Sequence, residues 1–223
     1  QGTYGQLFST RDEELPKGVD SEALKLVLIR KVELSQAGRM DVVRQTVLSE
    51  LPTWRHPCIA PLAATSLDDT VNTFVYNIPS TSALSLRAVL SNLEYRKKMS
   101  WSKRLNTIHQ IAQALAFLHN NNSTIHKAAV HGDLQPETIF IEVCEVQAYL
   151  LDAGMSRLIA TDRSKFARGE VVYGSRAYRC PIYERGSTGY GPTCDIFAFG
   201  TILSEIMTAK LQFPLIMYLL YGF

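Results

Sequence analysis

Two acidic residues stand where the local pattern could put them to chemical use. Asp133 lies in the polar turn His131-Gly132-Asp133-Leu134-Gln135-Pro136-Glu137, which runs straight into Thr138-Ile139-Phe140-Ile141. A polar turn followed by a β-branched and aromatic run reads as a loop feeding a strand. Ile139 to Glu142 and Val146 to Leu151 then suggest a hairpin around Cys144-Glu145. A hairpin returns the chain to where it began, so Asp152 is expected close to Asp133. Two acids at the mouth of a cleft suit a metal–phosphate reaction, one near the attacking hydroxyl and one holding Mg²⁺. A lone acid in a turn is more often a cap or turn residue, and the pair by itself leaves that reading open.

Such a pair needs elements to hold it, and both periodicities are present. Gly2 to Thr10 reads as strand, tight turn and strand, with Gly2 and Gly5 letting backbone N–H groups approach phosphates. Arg11 to Asp20 is charged and carries Pro16 and Gly18, which marks a loop. Ala23 to Leu34 is an apolar, alternating run and is predicted as a strand, as is Thr73 to Tyr76. Met40, Val43, Val47, Leu48 and Leu51 fall at helical spacing, which makes Arg39 to Leu51 an amphipathic helix. Leu105, Ile108, Ile111, Ala112, Leu115 and Leu118 do the same for a buried helix over Trp101 to Asn120, closed by Asn120-Asn121-Asn122-Ser123.

Composition narrows the function classes. The 223 residues are 46% hydrophobic and 20% charged, enough chain of an ordinary globular kind to bury a sizeable core. A net charge of +2 gives no reason to propose nucleic acid or an acidic membrane as partner. Cys58, Cys144, Cys180 and Cys194 have no C-x-x-C spacing, which argues against a zinc knot or disulfide framework and for reduced thiols in a cytoplasmic setting. No signal peptide is recognisable, and the uncharged tail Leu211 to Phe223 is shorter than the roughly 20 apolar residues a spanning helix needs.

The turn around Asp133 resembles the catalytic loop of protein kinases, H-R-D-L-x-x-x-N. Asp152-Ala153-Gly154 resembles D-F-G, and Asp195-Ile196-Phe197-Ala198-Phe199-Gly200 resembles the D-V-W-S-F-G that opens the large C-lobe helix. The three come in the family's order with family-like gaps. Val75-Tyr76, Leu84, Ser100-Trp101, Ala114 to His119 and Cys194-Asp195 are most similar to the receptor-like and interleukin-receptor-associated group. The resemblance implies an α+β, bilobal kinase-like fold. Its N-lobe, about 1–78, is a small antiparallel β-sheet with one helix; its C-lobe, about 82–208, is mainly helical. Residues 209–223 are expected to be an apolar tail left by truncation, with the C-lobe incomplete at its C-terminus. Gln1 to Leu7 resembles a glycine-rich loop entered midway.

The resemblance also assigns roles. Asp133 is the implied base and Gln135 its neighbour in the catalytic loop; Asp152 and Thr138 are the implied Mg²⁺ ligands. Gly2, Gly5, Leu7, Tyr76 (at the gatekeeper position), Asn77 and Phe140 fall on the nucleotide-binding surface. Two registers stay open for the strand lysine that grips the phosphates. Glu22-Ala23-Leu24-Lys25 matches the local V-A-I-K wording, while Val27-Leu28-Ile29-Arg30 fits the spacing to the next helix and puts bulky Leu28 in the adenine pocket. Counting on from Tyr76 reaches Pro79, which has no N–H to give adenine; a one-residue slip restores a donor.

Around the acids the family pattern decays. Arg44, or Gln45 with a slip, stands where the regulatory helix carries its glutamate. Gly132 replaces the arginine that reads a phosphorylated activation segment, so phosphorylation at Ser164 or Ser175 is expected not to order that segment through this loop. Gln135 replaces the lysine that neutralises the transferring phosphoryl group. Thr138 replaces the asparagine of the second Mg²⁺, Ala153 the phenylalanine of D-F-G, and Ile182 the glutamate of A-P-E. These departures point to a pseudokinase, a signalling scaffold or switch with weak or absent ATP binding. The alternative is an active divergent Ser/Thr protein kinase transferring the ATP γ-phosphate to a protein hydroxyl, with Mg²⁺. Either reading implies protein partners or a protein substrate and a cytoplasmic place, which includes the intracellular part of a receptor. Membrane attachment would come only through parts absent from this chain.

Overall fold

The computed structural model describes residues 6–9, 26–33, 54–67, 71–80, 82–120, 129–154, 176–181 and 191–209. Among the described residues, four antiparallel strands make the N-lobe sheet: β1 (Gln6–Ser9), β2 (Leu26–Glu33), β3 (Leu62–Leu67) and β4 (Val71–Ile78), in the spatial order β1-β2-β4-β3. The apolar run expected over 23–34 is therefore a strand, described from Leu26 to Glu33 and paired along its whole length with β4. Its alternation sorts two faces. Val27 and Ile29 pack with Val75 in a small cluster on one side, while Leu28 joins Phe74, Tyr76 and Ile78 in the main core on the other. Period-two side-chain alternation is the cause, and a one-residue slip would exchange the faces.

Beyond the hinge at Pro79 the chain becomes mainly helical, as expected. A short β5 (Leu84–Ser85) leads into α1 (Leu86–Ser91), then α2 (Leu93–Lys98) and the long α3 (Trp101–His119). The two six-residue helices were not anticipated from periodicity, which needs more than one and a half turns to register. Their caps carry the signal instead. Ser85 accepts from Ala88 N–H, and the Asn92 side chain accepts from Glu94 and Tyr95 N–H. In α3, Ile111, Leu115 and Leu118 are buried as the spacing predicted, but Ile108 and Ala112 are half-buried, Leu105 is 46% exposed, and Thr107 and Ala114, outside the predicted stripe, are fully buried. The hydrophobic stripe therefore engages the core only from the second turn onward.

The hairpin forms as read, from β6 (Ile139–Glu142) and β7 (Gln147–Leu150), and β5 extends it to three strands. The second strand begins at Gln147 rather than Val146, because Val146 turns the chain with a φ of 58° while its N–H returns to the Glu142 carbonyl at 2.8 Å. A 3₁₀ turn (Arg176–Tyr178) precedes α4 (Pro192–Thr208). This helix starts three residues before the Asp195 of the motif, with Pro192 in its first turn, where proline's missing N–H has no helical partner to lose. The lobes are stitched together by the segment before β3. Ala60 N–H donates to the Leu150 carbonyl and Leu150 N–H to the Cys58 carbonyl, both at 2.8 Å. The helix expected over 39–51 lies outside the described residues. No described helix is long and apolar enough to cross a membrane.

Candidate functional site

The loop that carries Asp133 is hung from α4. The Asp195 carboxylate, fully buried, accepts the His131 N–H at 2.7 Å and the Gly132 N–H at 3.0 Å, and contacts His119 Nε2 at 2.8 Å. Gly132 sits at φ 84°, a left-handed conformation that a residue without Cβ adopts at little cost. The His131 ring folds back, and its Nδ1 accepts the Asp133 N–H at 3.3 Å. Burial lowers the pKa of that ring, with the charges of Asp195 and Asp152 opposing the shift. The ring is therefore neutral at physiological pH, as an acceptor Nδ1 requires.

Within the loop the side chains of Asp133, Gln135 and Thr138 are turned inward. Gln135 Nε2 donates to Asp133 Oδ2 at 3.0 Å. The Thr138 hydroxyl accepts Gln135 N–H at 3.2 Å and lies 3.0 Å from both the Asp133 and Gln135 carbonyls, to which its single proton is directed. Asp133, Gln135 and Thr138 are all buried. The Thr138 carbonyl accepts Leu151 N–H at 2.8 Å, which fixes the residue before Asp152 against the loop. Asp133 and Asp152 thus come together through a backbone bond between hairpin and turn.

Asp152 is fully buried at φ 58°, a left-handed conformation in which Asn, Asp and His are enriched among non-glycine residues. Its Oδ2 is ion-paired and hydrogen-bonded to the Arg30 guanidinium, whose side chain is 4% exposed. Arg30 shares a strand face with Leu28, and its backbone register neighbours are Leu7 on β1 and Phe74 on β4. Burial alone would lower its pKa; the charge of Asp152 and their hydrogen bond outweigh that, with smaller help from Tyr76 and Asp133, and the net shift is upward. Tyr76 faces the same carboxylate. Burial first, and then the Asp152 charge, raise its pKa well above that of a free phenol, so it remains protonated.

The apolar side of the cleft is part of the main core. Leu28, Tyr76, Ile78, Phe140 and Leu150 belong to one continuous buried cluster, and Leu7 packs on it. At the hinge, Pro79 is exposed and the next N–H, that of Ser80, donates to the Ile78 carbonyl at 2.7 Å. Asn77 pairs with Val27 across the sheet, and its Oδ1 is buried without a hydrogen-bond partner.

Of the residues singled out from sequence, Leu7, Arg30, Tyr76, Asn77, Asp133, Gln135, Thr138, Phe140 and Asp152 are described. Gly2, Gly5, Lys25, Arg44, Gln45, Ser164, Ser175 and Ile182 lie outside the described residues. Arg30, one of the two candidates for the strand cation, reaches Asp152. Two polar groups on the rim were missed. Glu142 accepts from Ser80 and Ser82 hydroxyls and Cys144 N–H, clasping hinge to hairpin. Arg87 bridges Glu137 Oε1 at 2.7 Å and the Tyr178 hydroxyl at 2.8 Å, and that hydroxyl contacts Glu205 at 2.9 Å. The Ser80-Thr81-Ser82 break after a β-run was the one local hint; the Arg87 contacts span too much sequence to be read. Among the described residues no cluster of three or more His, Cys, Asp or Glu could hold a metal.

Comparison with known proteins gives this geometry a setting. The family model described as protein kinase domain matches residues 1–217. The chain is 28% identical over 213 residues to U-box domain-containing protein 34 of Arabidopsis thaliana, covering 94% of this chain and 24% of that protein. It is 24% identical over 211 residues to cysteine-rich receptor-like protein kinase 6 of Oryza sativa subsp. japonica, covering 94% and 28%. With U-box domain-containing protein 70 of the same rice it shares 31% identity over 167 residues, 73% of this chain and 20% of that protein. The chain thus spans less than a third of the length of each of these relatives.

Proposed function

Because the chain belongs to the protein kinase domain family, matched over residues 1–217, we propose that it is a pseudokinase, a kinase fold that serves as a signalling scaffold or switch within a longer protein. A kinase-type cleft is one that could receive ATP with Mg²⁺, and phosphoryl transfer there depends almost entirely on positioning and charge neutralisation. The observation that carries the proposal is that both acids are spent on neighbours of this same chain. Asp133 is buried with Gln135 on one oxygen, and Asp152 is buried against Arg30. A base already hydrogen-bonded by an amide has less capacity to take a substrate proton, and Gln135 adds no positive charge beside a transferring phosphoryl group.

ATP binding is weak or absent on this reading. With no N–H at Pro79 and that of Ser80 engaged, an adenine acceptor left unpaired costs about 1–3 kcal/mol. That corresponds to roughly 5- to 150-fold in affinity. Leu28 further fills the slot where a purine ring would lie. What remains is a surface for protein partners, in a chain similar to relatives named as a U-box domain-containing protein and a receptor-like protein kinase. The second reading, an active divergent Ser/Thr kinase, is favoured by the survival of Asp133 and Asp152 side by side.

Radiolabelled transfer by the complete protein, wild type against Asp133→Asn, with Mg²⁺ or Mn²⁺, decides between them. Absent or barely detectable incorporation, unchanged in the variant, is expected. Robust incorporation that disappears with Asp133→Asn would establish the active kinase instead.

A further inference from the structure

The fold family implies a divalent cation at the acid that Asp152 provides, and the residues here do not fit one. Mg²⁺ demands near-octahedral oxygen coordination, commonly through one or two carboxylates together with substrate phosphates. Asp152 Oδ2 is committed to Arg30, and the Thr138 hydroxyl to its own loop. A divalent ion at Asp152 would also meet a permanent like charge at contact distance, in a setting where water screens poorly. Asp152 does keep capacity for a cation, because Oδ1 is buried without a hydrogen-bond partner.

We infer that Arg30 is the resident cation of the cleft: its guanidinium holds the position at Asp152 that a metal would take, and ties the N-lobe sheet to the C-lobe with no ligand bound. The geometry has the required reach. Arg30 stands mid-strand on the cleft-facing side of β2, Asp152 follows β7, and the pair lies 122 residues apart in sequence. A guanidinium is charged at every accessible pH and cannot diffuse away, so occupancy of the acid is built into the fold. This inference rests on the non-catalytic reading above, since a cleft that transfers phosphate would need the metal, but it concerns occupancy and is tested by binding.

Mn²⁺ binding to the complete protein, followed by electron paramagnetic resonance, provides the test. Wild type and Asp152→Asn are expected to show the same Mn²⁺ titration, because the Arg30 charge beside Asp152 keeps the ion away. Arg30→Met removes the charge while keeping a flexible apolar stem of similar length. It is expected to bind Mn²⁺ at least about tenfold more tightly than wild type, an effect of removing a like charge at contact distance. The gain should vanish in Arg30→Met/Asp152→Asn. Wild-type Mn²⁺ binding that is lost in Asp152→Asn would overturn the inference, and so would a folded Arg30→Met with no gain. Should Arg30→Met fail to fold, the wild-type and Asp152→Asn titrations decide alone. Asp152-dependent Mn²⁺ binding without phosphotransfer would refute this inference and leave the pseudokinase reading intact.

Discussion

Asp195 offers the sharpest test of how the candidate loop is held. Its carboxylate receives His131 N–H, Gly132 N–H and His119 Nε2 at 2.7, 3.0 and 2.8 Å with no exposure to solvent. Asp195→Asn keeps the shape but leaves one acceptor. The amide oxygen is best placed at the Oδ2 position, where it still meets His131 and His119. Its NH₂ then confronts the Gly132 N–H, donor against donor. A buried donor without a partner costs about 1–3 kcal/mol, and the two remaining bonds lose the extra strength that a charged acceptor confers. Relief from burying a charge works in the opposite direction, but three donors already converge on that carboxylate and offset most of its desolvation. The net expectation is a loss of about 2–4 kcal/mol, a large share of the roughly 5–15 kcal/mol that holds a domain together. Asp195→Ala, which orphans both backbone donors and opens a cavity, should lose more. Urea unfolding at unchanged m reads the loss as a shift in midpoint. Hydrogen exchange should place the largest acceleration at Gly132, while core amides of α3 follow only global stability. An Asp195→Asn protein within about 0.5 kcal/mol of wild type, with Gly132 exchange unaltered, would show that the loop is held by something else.

The buried His131 predicts a pH dependence. Its pKa is lowered by burial, against the pull of Asp195 and Asp152, so the unfolded chain takes the proton first. Stability is then full above about pH 6.5 and falls as pH drops through that value, by up to about 1.4 kcal/mol per pH unit. His131→Gln should flatten the slope in urea midpoints across that range; His56, whose pKa burial also lowers, adds a slope of the same sign. Arg104 donates to the Met99 carbonyl and to the Ile206 and Met207 carbonyls in the last turn of α4. Arg104→Met should lower stability by about 1–2 kcal/mol in urea unfolding, from lost hydrogen bonds and a lost cation at the helix C-terminus. Leu28→Ala should cost about 2–5 kcal/mol by the cavity it leaves. The same space should make the thermal shift produced by ATP larger in Leu28→Ala than in wild type; an equal shift would mean that Leu28 does not block the slot.

Much of this architecture could be read from the sequence because it rests on local periodicities. The hairpin that brings Asp152 back to Asp133 was legible in two short apolar runs around a turn, and α3 in its repeating apolar positions. The partners of the two acids follow different logic. Gln135 lies two residues beyond Asp133 in a tight turn, so their contact is local. Yet nothing in residue type separates an amide that folds back onto the acid from one that faces a substrate. That outcome is fixed by Thr138, whose hydroxyl engages Gln135 N–H and pins the backbone so that the amide returns. Arg30 was one of two alternatives, because strand identity and spacing gave opposite registers.

Strand parity supplies the physical basis on which such an ambiguity turns. Arg30 lies on the face of β2 that carries Leu28, and that face meets Phe74, Tyr76 and the C-lobe core. The opposite face packs Val27 and Ile29 against Val75. An arginine one residue earlier, in place of Ile29, would project into that second cluster, on the face of the strand opposite Arg30 and Asp152. The cation must therefore occur in phase with Leu28 if it is to reach Asp152. The bulky leucine in the cleft and the guanidinium on the acid are consequences of one register, and a sequence that fixes one on this strand fixes the side on which the other must lie.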